Sequence, residues 1–295
     1  MDASVARRMW QLGETLHAVT YFAPESFAAW EAAGIRGFWR GYFATRAAPF
    51  GGTGPGPVVA TFFNFAPGMV ARALPAVWQL ATPEDALRAR VTGAADALRA
   101  ALGPALDPAA VDEALALVRG ACAGCDPSGR ALHAANAWLP WPDEPVEALW
   151  HGLTILREHR GDGHNALLVA AGLDGCECHV LAGALASGGA SGDDRRSARG
   201  WSDEDWSAAT ARLVDRGLLD GDGSPTEAGR SLHADVEART DELALGPWSH
   251  LGADRTSRLA ALLEPWAVAI SERGVLRYPN PMGLAPVDGS HDGGA

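Results

Sequence analysis

The chain has 295 residues, 47% of them hydrophobic, which is enough for one large core or two of ordinary size. Its formal charge is −12, with 36 acidic side chains against 24 basic ones, and basic groups supply most non-specific affinity for nucleic acid, so an extended DNA-binding surface is disfavoured. No run of 18 apolar residues occurs and the N-terminus lacks a signal-peptide pattern, so membrane spans are excluded and a cytoplasmic chain with reduced cysteines is expected.

Taken in order, the first helical signal places His17 and Tyr21 at i and i+4 on one face. An aromatic-rich stretch follows, with Tyr42, Arg46 and Asn64 among Phe38, Trp39, Phe43, Phe62, Phe63 and Phe65. Few polar groups in an apolar lining is the composition of a ligand pocket; the alternative is an ordinary aromatic core with Arg46 paired at the surface. Within it, residues 50–57 are rich in glycine and proline and read as a loop, and residues 67–80 read as a helix. Thr82 before Pro83, Glu84 and Asp85 is an N-cap with proline at the first helical position. Cys122-x-x-Cys125 and the later Cys176-Glu177-Cys178-His179 could in principle bind zinc, but Cys176-x-Cys178 is not a usual knuckle and the pairs do not occupy equivalent positions, so free thiols are expected.

Residues 140–145, which hold three prolines, read as a hinge before a helix over 146–156. The densest polar cluster comes next, Arg157-Glu158-His159-Arg160-Gly161-Asp162-Gly163-His164, expected at a junction between two helices. Two histidines, two arginines and two acids there suit anion or metal binding or acid–base work; the plainer reading is a solvated helix end capped by Asp162 or Gly163. Residues 186–200 read as a flexible loop and 286–295 as a disordered tail. Ser202 with three following acids repeats the N-cap device, and Gly217 is placed to stop the helix that follows. No nucleophile elbow, phosphate loop or dinucleotide fingerprint occurs.

Three short stretches recur in the same order: Ala32-Ala33-Gly34-Ile35 as Ala170-Ala171-Gly172-Leu173, Leu117-Val118-Arg119-Gly120 loosely as Leu213-Val214-Asp215-Arg216-Gly217, and Gly129-Arg130-Ala131-Leu132-His133-Ala134 as Gly229-Arg230-Ser231-Leu232-His233-Ala234. They predict a degenerate internal duplication whose first copy carries extra helices within 47–100.

A helix ending Arg216-Gly217-Leu218-Leu219, a turn over 220–224, then Thr226-Glu227-Ala228-Gly229-Arg230 opening a further helix resembles the winged helix of MarR regulators over residues 201–242. The resemblance implies a recognition helix presenting Ser207, Thr210, Arg212 and Arg216 to DNA. Within 201–230, however, seven acidic residues face Arg212, Arg216 and Arg230, which disfavours phosphate contact. His17-Ala18-Val19-Thr20-Tyr21-Phe22, residues 41–49 and residues 157–164 together resemble an actinobacterial family of duplicated winged-helix proteins. That likeness implies a shared site and supplies no chemistry.

The expected fold is therefore mainly α with small β-wings, two tandem winged-helix halves (1–140 and 145–285) packed as a pseudo-dimer, monomeric or homodimeric. The expected function is binding of a small-molecule ligand between the halves, with DNA binding weakened or lost. Its candidate residues are His17, Tyr21, Tyr42, Arg46, Asn64, Glu158, His159, Arg160 and His164. A ligand-responsive regulator that binds DNA is the first alternative, and an enzyme, haem or metal protein using His17, His159 and His164 is the second.

Overall fold

Prolines and small polar caps set the helix starts, because proline at the first turn gives up no intrahelical hydrogen bond and a side-chain oxygen satisfies an otherwise orphaned N–H. The computed structural model describes residues 1–186, 192–280 and 282–288. Asp2 caps α1 (Ala3–His17), and a single turn, α2 (Val19–Phe22), leads to α3 (Pro24–Ala32) and α4 (Phe38–Ala47). The aromatic segment supplies two short helices, α5 (Pro55–Thr61) and α6 (Pro67–Ala73). The helix expected over 67–80 ends at Ala73 and continues only as a 3-10 turn, Ala76–Gln79, because Pro75 offers no N–H to carry it on. A capping box of Thr82 and Asp85 opens α7 (Pro83–Leu102), and Asp107 caps α8 (Pro108–Cys122).

Next come α9 (Ala131–Ala137) and the 26-residue α10 (Pro145–Ala170). The polar cluster over 157–164 therefore lies inside one continuous helix and not at a junction. Two glycines cost it about 1 kcal/mol each relative to alanine. Leu156, Glu158, His159, Asp162 and Leu167 are buried on either side of and between them, and the helix continues through. The remaining helices are α11 (Glu177–Leu185), α12 (Gly192–Arg199), α13 (Asp203–Asp215), α14 (Glu227–Leu243), α15 (Gly246–Leu251) and α16 (Ala253–Glu272).

Two apolar clusters organise these helices. The larger gathers α1 to α9, the first turns of α10, then α15 and α16, with Leu12, Leu98, Leu149, Trp150 and Leu263 fully buried in it. The smaller is built from Leu167, Leu173, Leu181, Leu213, Leu218 and Val236, on the end of α10 and on α11, α13 and α14. The passage from one core to the other thus falls within α10, not at residues 140–145. Trp201 packs against both clusters, and its indole N–H donates to the Asn64 carbonyl (3.1 Å).

Several expectations change. Residues 186–200 are not all loop, since α12 occupies 192–199; residues 187–191 lie outside the described residues. Leu284 and Val287 are buried in the larger core, so the chain packs past residue 286. Beyond Val287 only Asp288 is described. The wing reduces, among the described residues, to one isolated antiparallel bridge, Leu219 to Pro225.

The internal matches do not mark equivalent structures. Ala-Ala-Gly ends α3 and α10 alike, with Gly34 at φ 83° and Gly172 at φ 68°, and the N–H groups of buried Ile35 and Leu173 reach back to Trp30 and Leu168. That is a helix stop, used a third time at Gly217 (φ 67°) with Leu218 reaching Leu213. Gly120 sits inside α8 whereas Gly217 stops α13, and Gly129 precedes α9 in a left-handed turn whereas Gly229 lies in the first turn of α14. Shared local chemistry accounts for the first match, and the other two pair unlike elements. No helix among the described residues is long and apolar enough to cross a membrane.

Candidate functional site

A cavity of about 540 Å³ lies where the two cores meet. Residues 7, 10 and 14 recur on one face of α1, so Arg7, Trp10 and Glu14 form one side; α10 lays Arg157, Glu158, Asp162 and His164 along it. Arg46 and Phe62 enter from the aromatic segment, His179 from α11, Arg199 from α12, and Glu237 from α14.

Its floor is a buried charge network. Glu158 accepts from Arg46 Nη2 (3.1 and 3.2 Å) and from Arg157 Nη1 (2.9 Å to both oxygens). Arg157 Nε also donates to Glu14 (3.3 Å), and Arg46 Nη1 donates to the Tyr42 hydroxyl (2.7 Å) while its guanidinium lies 4.4 Å from the Phe62 ring centroid. Burial pushes the Glu158 carboxyl up, but the two guanidinium groups outweigh it and hold it below the usual carboxylate range. At Glu14 burial wins over Arg157, and the carboxyl is raised. His17 stacks on Trp150 (5.2 Å, 9°), and burial, then Arg157 and Arg46, pulls its pKa far down, so the ring is neutral.

The wall toward α14 is also ion-paired. Arg160 donates to Asp241 (2.8 Å) and lies over Trp10, Arg7 bridges Asp241 (2.9 Å) and Glu237 (2.7 Å), and His164 Nδ1 meets the Thr240 hydroxyl at 2.9 Å. Asp162 reaches across to accept from the His133 backbone N–H (2.9 Å), capping α9, whose own N-cap residue Arg130 makes no side-chain cap.

Five residues that line this cavity each hold a buried polar atom with no hydrogen-bond partner among the described residues: Glu14 Oε1, Arg46 Nε, Arg160 Nε, His179 Nε2 and Arg199 Nε. Buried polar groups are nearly always satisfied, so five beside one space single it out.

Of the residues expected at the site, Arg46, Asn64, Glu158, Arg160 and His164 line the cavity. His17, Tyr21 and Tyr42 are buried in the neighbouring ring cluster, Tyr21 5.6 Å from His17 and 5.2 Å from Tyr42. His159 is elsewhere: its ring stands edge-on to His133 (5.1 Å) and lines a separate small recess with Trp248, and burial, then Arg130, brings its pKa down to about 3. The three histidines are therefore not on one cavity, and no group of three metal-ligating side chains occurs among the described residues. Glu14, Arg157, Asp162, His179 and Arg199 are further cavity residues. Glu14 carried only the weak signal of lying one turn before His17, and Arg199 none.

The expected DNA-reading arginines are exposed, but each is engaged by groups of its own fold. Arg212 pairs with Glu177 (2.8 Å) and Asp174 (2.5 Å), and Arg216 donates to the carbonyls of Gly172 (2.8 Å) and Ala171 (3.0 Å), tying α13 to the end of α10 and the start of α11. Thr210 gives its hydroxyl hydrogen to Trp206, and the exposed face of α13 presents Asp203, Glu204, Ser207 and Asp215.

Burial pushes Asp162 up to about 6 from 3.8, the His133 N–H opposing. Between those values the folded chain holds a proton that the unfolded chain has released. The resulting stability is complete below about pH 4 and is lost as pH rises through about 6. Asp162→Asn, which keeps an oxygen for the α9 cap, is expected to remove that loss. Its unfolding free energy relative to the parent should climb between those two pH values in urea titrations; parallel profiles would refute this.

Residues 6–277 match a helix-turn-helix family, and the chain belongs to that family. No curated protein and no solved structure matches it significantly.

Proposed function

We propose that this helix-turn-helix protein binds a small molecule in the cavity between its helix-turn-helix unit and its larger core, and that its contact with DNA is weakened. The single observation that carries the reading is the cavity itself: about 540 Å³, within the range of small-molecule sites, lined from both cores and edged by five unpartnered polar atoms. The run of α13, the Gly217 stop, a residual bridge and α14 also supports a MarR-like arrangement with its wing cut back. Weakened DNA contact is supported by the pairing of Arg212 with Glu177 and Asp174, by the bonds of Arg216 to backbone carbonyls, and by the acidic residues exposed on α13. Phosphate contact needs free cations there.

The uncharged fluorescent probe N-phenyl-1-naphthylamine should bind saturably at one site. Ala182→Trp, which fills the cavity, should weaken uptake at least tenfold, and Ala211→Trp on exposed α13 should not. Uptake unaffected by Ala182→Trp would overturn the proposal. Family membership favours the second reading, a ligand-responsive regulator that binds DNA. Anisotropy titration of a mixed-sequence duplex decides between them. Affinity weaker than about 10⁻⁴ M at physiological salt supports the first reading, and affinity at or above the ordinary non-specific range of about 10⁻⁴ to 10⁻⁶ M supports the second.

A further inference from the structure

We infer that the ligand of this cavity is an organic anion, a molecule with a carboxylate or phosphate head held by Arg199 and Arg46 and an apolar body lying along Phe62, Leu181 and Leu185. This rests on the ligand-cavity reading and names the chemistry of its occupant.

Arg199 is 9% exposed, its guanidinium lies 4.4 Å from the Phe65 ring centroid, and its Nε has no hydrogen-bond partner among the described residues. Four of the other five arginines that line the cavity share carboxylates: Arg46 and Arg157 share Glu158, and Arg7 and Arg160 share Asp241. The groups that favour charge on Arg199 are the Tyr42 phenol and the Cys178 thiol, and that thiol, pushed up to about 12 chiefly by burial, is uncharged at neutral pH. Burial lowers the Arg199 pKa, and the nearby positive charges of Arg46 and Arg157 lower it further. Among the described residues the Arg199 guanidinium has a ring face and no carboxylate partner; a buried guanidinium so placed is costly, and an anion is the partner that removes the cost.

Two further unpartnered donors, Arg46 Nε and Arg160 Nε, belong to residues that line the same cavity. Burial brings the His179 pKa down to about 3, so its ring adds no positive charge there. On the acidic side, burial raises Glu14 and Asp162, while neighbouring arginines outweigh burial at Glu158 and hold it low. The chain as a whole carries −12, so attraction for an anion is local to this cavity and opposed by the rest of the surface. The head group would also sit at a mechanical junction. Arg199 ends α12, its carbonyl accepts from the Ala66 N–H (2.9 Å), and Ser202 just beyond caps α13.

The test titrates the full chain with the anionic dye 1-anilinonaphthalene-8-sulfonate and with its uncharged analogue N-phenyl-1-naphthylamine. The parent protein should bind the anionic dye the more tightly. Arg199→Met should weaken it about tenfold or more, equivalent to about 1.4 kcal/mol, and leave the neutral dye unchanged. The same variant should melt no lower than the parent, because methionine over Phe65 replaces an uncompensated buried charge. Phenylacetate and phenyl phosphate should displace the dye, and the stronger competitor identifies the head group. Unchanged dye affinity in Arg199→Met, equal loss of both dyes, or failure of both competitors would overturn the inference while saturable neutral-dye binding left the cavity reading standing. If neither dye binds the parent protein, the cavity reading itself falls.

Discussion

Glu158→Ala is expected to lower the unfolding free energy by about 3–5 kcal/mol, read from urea titrations, because it strands two buried guanidinium groups at once. Glu158 is 4% exposed and is the shared acceptor of Arg46 and Arg157, so its loss leaves Arg46 facing only the Tyr42 hydroxyl and ring faces, and Arg157 facing a Glu14 carboxyl that burial has raised. Glu158→Gln keeps the acceptor oxygen but not the charge, and should recover only part of the loss. The triple change Arg46→Met, Arg157→Met and Glu158→Leu should recover most of it, since a buried ion cluster costs nearly as much desolvation as its attraction returns. A Glu158→Ala loss below about 1 kcal/mol, the value of an exposed pair, would show that water reaches the network and that the cavity floor is not closed.

Trp150→Ala is the second large effect, expected at about 3–5 kcal/mol. The indole is fully buried, stacks on His17, donates its N–H to the His17 carbonyl (3.2 Å) and lies 5.5 Å from the Arg90 guanidinium. Truncation leaves a void beneath the charge network and removes the contact that fixes the end of α1. Trp150→Phe should cost much less, because it keeps an aromatic face for His17 and loses chiefly the hydrogen bond. Urea titrations of both variants at one pH check this; equal losses would mean the N–H, and not the ring volume, holds the site.

Much of the helix punctuation was legible in the chain. Thr82 with Asp85, Ser202 with Asp205 and the glycine at 217 act between neighbours in sequence, so the residues that form each cap are also the residues that reveal it. The Ala-Ala-Gly pair is local in the same way: both copies form a helix stop, which local chemistry also produces at Gly217. At Gly161-Asp162-Gly163 local preference predicted a break, and burial of one helix face on two cores overrode it. The site divided along the same line. Arg46, Asn64, Glu158, Arg160 and His164 stood out as polar groups in apolar or dense surroundings, and all reach the cavity. His159, one residue after Glu158 and about 100° around the helix, faces another recess.

Residues 201–230, with seven acids against three arginines, made a poor surface for phosphate by sequence alone, because net local charge is a sum that folding does not alter. Sequence by itself therefore determined the caps, the helix stops, the acidity of residues 201–230 and most of the polar residues worth testing. Tertiary structure alone decided their partners: Arg212 and Arg216 tied to the end of α10 and the start of α11, Glu158 shared by two arginines, and Arg199 buried over Phe65 beside the cavity. The physical reason is that a charge's behaviour depends on what surrounds it within a few ångströms, and for these residues those surroundings come from helices far away in the chain.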